Sequence, residues 1–168
     1  LVREFREGKV KARVVETEAY FGRGDPASHA SRRKTQRNQV MFGPPGRAYV
    51  YFTYGMHYLF NVVTEKEKIP GAVLIRALEP VSGIDLMKRR RPVTQVKNLL
   101  NGPARLTQAL SIDRSLNGYD LTLGKTLYFE DDGYKVEKVV RKHRVGVPLD
   151  PSDNFRYYIA DNPFVSKK

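Results

Sequence analysis

Glu16 and Glu18 stand two residues apart in the run Lys9 to Tyr20, KVKARVVETEAY, and Tyr20 follows at the same spacing. The run alternates like a β-strand, so residues of one parity share a face. For a regular strand the even face carries Val10, Ala12, Val14, Glu16, Glu18 and Tyr20. The odd face carries Lys11, Arg13, Val15, Thr17 and Ala19, of which Lys11, Arg13 and Thr17 suit water. One side would then begin as apolar core and end in two carboxylates and a phenol. An inward carboxylate costs several kcal/mol unless it is paired or hydrogen-bonded. From the strand alone, a structural ion pair and a catalytic acid or base fit equally well. A second charged residue, Arg76, interrupts the apolar run Ala72 to Leu78, AVLIRAL, and needs a carboxylate or carbonyl partner. Glu16, Glu18 and Glu79 are the candidates. The three histidines, His29, His57 and His143, make no ligand spacing, and cysteine is absent, so neither a metal site nor a cofactor is expected.

The elements that must position these groups read as follows. Leu1 to Phe5 and Val10 to Tyr20 flank Glu7-Gly8 as a hairpin. Gly22 to Asn38 is a long loop rich in Gly, Pro and Ser, carrying Arg23, Arg32, Arg33, Lys34 and Arg37, with Arg47 beyond it. Loops of that length inside a domain are functional or disordered. Ala48 to Thr53 and His57 to Val63 form a second hairpin, with Tyr54 on its tight turn. Tyr49 and Tyr51 share one face of it, and Leu59, Asn61 and Val63 share a side of its second strand. Ser82 to Arg91 reads as a helix with Ser82 as N-cap, and Asn101-Gly102-Pro103 opens a short helix to about Ser111. Leu121 to Glu130 and Lys135 to Arg144 read as a strand pair around Asp131-Asp132-Gly133. Val145-Gly146-Val147-Pro148 reads as irregular backbone, and Asn154 to Ala160 as a last strand. The expected architecture is a single α+β domain over residues 1–168, mostly antiparallel β-sheet with a protruding hairpin and a few short helices.

Composition narrows the partner. The 168 residues include 30 Lys and Arg against 18 Asp and Glu, a net charge of +12. Such a surface suits nucleic acid or an anionic membrane. No apolar run approaches the ~20 residues of a membrane span, which disfavours the membrane. A plain DNA-binding module explains the charge and, through stacking of about 1–3 kcal/mol per base, the tyrosines. It leaves inward carboxylates unexplained, because they repel phosphate. A hydrolase acting on a base or sugar of nucleic acid explains all three features. The chain opens almost at a strand, on Leu1-Val2-Arg3, so a preceding segment is expected outside this sequence.

Several runs occur in a telling order: Val15-Glu16-Thr17-Glu18-Ala19-Tyr20, Met41-Phe42 with Pro45-Gly46, Tyr49-Val50-Tyr51, Tyr54-Gly55-Met56 and Asn61. Arg76-Ala77-Leu78-Glu79-Pro80, Gly102-Pro103 with Leu106 and Ala109-Leu110, and Arg144-Val145-Gly146 complete the series. Together they resemble the alkyladenine (3-methyladenine) DNA glycosylase family of the mammalian type, over nearly the whole chain. The resemblance implies hydrolysis of the N-glycosidic bond of a damaged purine flipped out of double-stranded DNA. Carried over by motif, Glu18 matches the base that activates water, with Arg76 and the main chain at Val145 helping to hold that water. Tyr20, His29 and Tyr51 match the rings that enclose the flipped base, Asn61 the side chain that crowds the amino group of guanine, and Tyr54 the wedge that fills the gap. Arg32, Arg33, Lys34 and Arg37 are then expected on phosphates. Phe60 and Phe164 stand where the family has methionine and tryptophan. A metal-free enzyme using water as nucleophile is expected, because no lysine stands among the apolar strand residues that would depress its pKa. It is expected to act as a monomer inside the cell with the DNA. A catalytically inactive binder of damaged or distorted DNA is the alternative.

Overall fold

Residues 1–147 and 154–167 are described by a computed structural model of the chain. Its spine is the strand holding the two glutamates. Eight strands form one antiparallel sheet: β1 (Val2–Phe5), β2 (Gly8–Tyr20), β3 (Ala48–Thr53), β4 (His57–Val63), β5 (Ala72–Ser82), β6 (Leu127–Tyr128), β7 (Val139–Lys142) and β8 (Arg156–Ile159). Their order is β3-β4-β5-β2-β1-β6, and β8 pairs with both β2 and β7. At about 3.3 Å per residue, β2 is long enough to serve two partners on one edge. Its first half pairs with β1 (Val2 opposite Lys11), and its second half with β8 (Glu18 opposite Arg156). Two helices, α1 (Ile84–Arg90) and α2 (Pro103–Ala109), complete the α+β fold. The main core packs Val10, Ala12, Val50, Phe60, Ile75 and Leu78 against Met87, Leu106 and Leu110.

β2 is not regular, which corrects the expectation of one continuous even face. Val14 pairs with Leu78 but Glu16 pairs with Ala77, so Val15 is an extra residue. Leu78 and Ala77 are neighbours on one strand and point to opposite faces, so Val14 and Glu16 do too. Such a bulge re-aims every side chain after it. Val10 and Ala12 remain in the main core, whereas Val15 joins a separate cluster with Ala77, Tyr158 and Val165. Glu16, Glu18 and Tyr20 therefore share a face, as expected, but it is the face opposite the apolar core. A second shift makes Arg76 the extra residue of β5, between Ala77 opposite Glu16 and Ile75 opposite Thr17.

Three further expectations change. Leu121 to Glu130 and Lys135 to Arg144 do not pair with each other: Leu127–Tyr128 joins β1 and Val139–Lys142 joins β8. The turn between them is held by β2 instead. Asp132 and the Tyr134 ring clasp Arg13, and Glu130 pairs with Lys11. The odd side of β2 thus meets protein as well as water. Ser82 stays in β5, opposite Lys11, and the helix cap is Gly83 at φ 72°. A Cβ there would lie 2.7 Å from the Lys9 carbonyl oxygen, so the close approach of two chains, not a cap hydroxyl, selects the residue. Val145 to Val147 are irregular as expected, while Pro148 lies outside the described residues.

Candidate active site

Beyond the bulge, β2 meets β5, the β3–β4 hairpin and the loop after β7 around a cavity of about 380 Å³. Its walls include Tyr20, His29, Met41, Tyr49, Tyr51, Tyr54, Asn61, Arg76 and Val145. Pro103 and Ala104, at the start of α2, close one side. The rim-to-floor order is set by the strands, since Tyr49, Tyr51, Leu59 and Asn61 fall on one side of the hairpin.

Glu18 is wholly buried, directly behind this wall. Its Oε2 accepts the Tyr20 hydroxyl at 2.9 Å and Arg76 Nη1 at 3.3 Å, and its Oε1 accepts the Val145 amide at 2.6 Å. All three donor residues line the cavity while Glu18 itself does not, so they stand between the carboxylate and the cavity. Glu16, the other candidate partner of Arg76, binds it too, Nε to Oε1 at 3.2 Å. Glu79 instead takes Arg13 and Asn162.

The rings are held rather than merely present. His29 Nδ1 lies 3.0 Å from the Tyr49 hydroxyl, and its ring stands edge-on to Tyr51 with centroids 4.5 Å apart. His29 is exposed at the rim of the cavity, and partial desolvation of its ring, aided by the Arg37 charge, lowers its pKa to about 4, so the ring is neutral at pH 7. Burial likewise pushes the Tyr51 hydroxyl up to about 12 and raises Tyr20, where the Glu18 carboxylate adds to the effect. Asn61 is buried and donates through Nδ2 to the Tyr49 carbonyl at 3.0 Å, which fixes the plane of its amide. Tyr54 sits on the hairpin turn at φ 51°, 86% exposed. Arg32, Arg33, Lys34 and Arg37 are all exposed on the loop that carries His29. Two of them also touch the protein: Lys34 lies over Phe42, and Arg37 over Tyr51 with a hydrogen bond to the Phe52 carbonyl.

With this geometry established, the relatives are informative. The family profile of methylpurine-DNA glycosylase matches residues 1–163. The chain belongs to the methylpurine-DNA glycosylase family. A relative from Carboxydothermus hydrogenoformans named as a 3-methyladenine DNA glycosylase is 53% identical over 169 residues, covering 100% of this chain and 88% of its own length. One of the same name from Prosthecochloris aestuarii is 52% identical, over 94% of this chain and 76% of its own. A third, from Methanocella arvoryzae, is 47% identical over 100% and 86%.

Around this glycosylase-family cavity the fold adds three residues that sequence reasoning missed. Asn38 is buried and threads the basic loop, donating to the carbonyls of His29 (2.7 Å) and Arg33 (2.9 Å). Tyr49, read only as a face-mate of Tyr51, orients His29. Asp25 forms a buried bidentate pair with Arg144 at 2.7 and 2.9 Å, and Arg144 also bonds the Ala19 carbonyl and lies over the Tyr20 ring. That pair ties the His29 loop to the residue preceding Val145. Its one sequence signal was Arg144 itself, a cation two residues before Gly146. Among the described residues no group of three or more His, Cys, Asp or Glu is placed to hold a metal ion, and no helix is long and apolar enough to cross a membrane.

Proposed function

We propose that the chain is a monofunctional DNA glycosylase that hydrolyses the N-glycosidic bond of alkylated or deaminated purines flipped out of duplex DNA. The observation that carries this reading is Glu18: a wholly buried carboxylate, held by three donors, immediately behind a slot of aromatic rings. A carboxylate offers about four acceptor directions, and three are used, so one remains for the O–H of a water. Water held there attacks C1′ of the flipped nucleotide as Glu18 takes its proton. The bond from C1′ to the purine nitrogen breaks, and its electron pair leaves with the base. A purine alkylated at N3 or N7 carries a positive charge before cleavage and departs neutral, so it requires no acid. Arg76 and the Val145 amide fix the carboxylate and with it the direction of attack.

Tyr20, His29 and Tyr51 enclose the base. Electron-rich rings favour a cationic purine by about 0.5–2 kcal/mol each, and a neutral His29 adds no opposing charge. Asn61 restricts the space beside the ring where guanine carries its amino group. Tyr54, projecting from the turn, enters the stack in place of the extruded base. Arg32, Arg33, Lys34 and Arg37, exposed on the His29 loop, contact phosphates, which orient the enzyme without reading sequence. In this scheme the enzyme acts as a monomer, and no role falls to a metal ion. The test is an excision assay on duplexes carrying 3-methyladenine, 7-methylguanine, hypoxanthine or 1,N6-ethenoadenine, with a chelator present. Release of free base at undiminished rate is expected. Binding without release would favour the inactive binder, and loss of activity in chelator would end the metal-free scheme.

A further inference from the structure

Glu16 is a buried carboxylate that the proposed chemistry does not use. It is 1% exposed and makes no wall of the cavity. Its Oε1 accepts Arg156 Nε at 2.6 Å and Arg76 Nε at 3.2 Å, and its Oε2 accepts the Ser166 amide at 2.6 Å. Arg76 is therefore held from both ends: Nε on Glu16 and the Ser166 hydroxyl, Nη1 on Glu18. Two carboxylates and two guanidiniums alternate as Arg156, Glu16, Arg76, Glu18, a chain of net charge zero in which Arg76 lines the cavity and Glu18 lies behind it. A guanidinium fixed at Nε can turn its Nη groups only about one direction. An arginine held by Glu18 alone would be drawn wholly onto that carboxylate or out into the cavity.

We infer that Glu16 is a positioning residue for the reaction at Glu18, acting through Arg76, and that β8 belongs to the active site because it supplies the Arg156 that balances Glu16. The inference rests on the reading of Glu18 as the base. The charged and titratable groups around Glu18 are Tyr20 on its own strand, Arg76 from β5, Arg156 from β8 directly opposite it, Tyr51 from β3, and the Asp25–Arg144 pair beside Tyr20. Glu16 shares Arg76 with Glu18, so its negative charge lies one guanidinium away. Removing it leaves two guanidiniums beside one carboxylate. Removing Arg156 leaves one guanidinium between two carboxylates. The two changes push the ionisation of Glu18 in opposite directions.

The experiment is the pH profile of single-turnover excision from a 3-methyladenine or hypoxanthine duplex by wild type, Glu16→Gln and Arg156→Gln, alongside lesion-duplex affinity and circular dichroism. Glu16→Gln is expected to lower the maximal rate about ten- to hundredfold with affinity changed less than about twofold. Its acid limb moves to lower pH by about one unit, and that of Arg156→Gln moves to higher pH. A folded Glu16→Gln with an unshifted acid limb overturns the inference, as do shifts of the same sign in both variants. Failure of both variants to fold would assign Glu16 to stability alone and overturn it equally. Failure of the underlying reading looks different: there the wild type releases no base, or Glu18→Gln releases it as well as wild type does.

Discussion

At the scale of single residues, the decisive property of the cavity is that its ring nitrogens and hydroxyls are kept uncharged while one carboxylate behind them is kept dry. His29 shows how. Its pKa of about 4 lies below the unfolded value near 6.5, because partial desolvation of a ring that is still exposed at the rim, and then Arg37, disfavour the imidazolium. Between those two pH values the unfolded chain binds a proton that the folded chain does not. Stability therefore falls as pH drops through that window. An NMR titration of the His29 ring is expected to give a midpoint near pH 4, and one near 6.5 would show the ring solvated or the cavity open. Tyr54 is the opposite case, a large ring left 86% exposed in a strained backbone conformation. Tyr54→Ala is expected to cost roughly the 1–3 kcal/mol of one stacked ring in excision from fully paired DNA, with less loss when the lesion faces a mismatch. Equal activity on both duplexes would remove the wedge.

Elements matter because they decide which of these residues meet. That Glu18 and Tyr20 share a face was legible, since alternation is local to the strand. Which face of the sheet it would be was not, because the bulge at Val15 is defined only by the pairing of Val14 with Leu78 and Glu16 with Ala77. The hairpin of Tyr54 was legible from its turn and from the rings alternating on either side. The partners of β6 and β7 were not, since Asp131-Asp132-Gly133 looks like a hairpin turn until Arg13 is seen to hold it. Arg76 announced its need for a carboxylate, while the choice of Glu16 and Glu18 over Glu79 required the second register shift. Asp25 and Arg144 gave no mutual signal, being joined only by the approach of two loops. That pair now has a measurable consequence. Arg144→Met leaves Asp25 buried without its bidentate partner and is expected to cost about 3–5 kcal/mol of stability by chemical denaturation. A cost below about 1 kcal/mol would mean that the two loops are held elsewhere. Gly83→Ala, which forces a side chain to φ 72° against Lys9, is expected to lose at least about 1–2 kcal/mol. Its excision rate when folded should be unchanged, because α1 contributes nothing to the cavity wall.

For the whole molecule the governing quantity is the charge of +12, spread so that the loop carrying His29 also carries five exposed cations, Arg23 with Arg32, Arg33, Lys34 and Arg37. In the proposed scheme attraction to phosphate and closure of the base pocket fall on one segment, tied together by Asn38. If Arg33 and Lys34 each neutralise one phosphate, replacing both with Ala should reduce the salt dependence of DNA affinity by about 1.8 in log–log slope. Damaged and undamaged duplexes should lose affinity alike, whereas a loss confined to damaged DNA would place these residues at the base. In that scheme nearly all of the chemistry, by contrast, converges on Glu18. Single-turnover excision by Glu18→Gln, with lesion-duplex affinity measured on the same preparation, is the most direct measurement. A loss of at least about a thousandfold in rate, with affinity within a few-fold of wild type, is expected. Excision by the glutamine variant within about tenfold of wild type would contradict a water-activating carboxylate at this position.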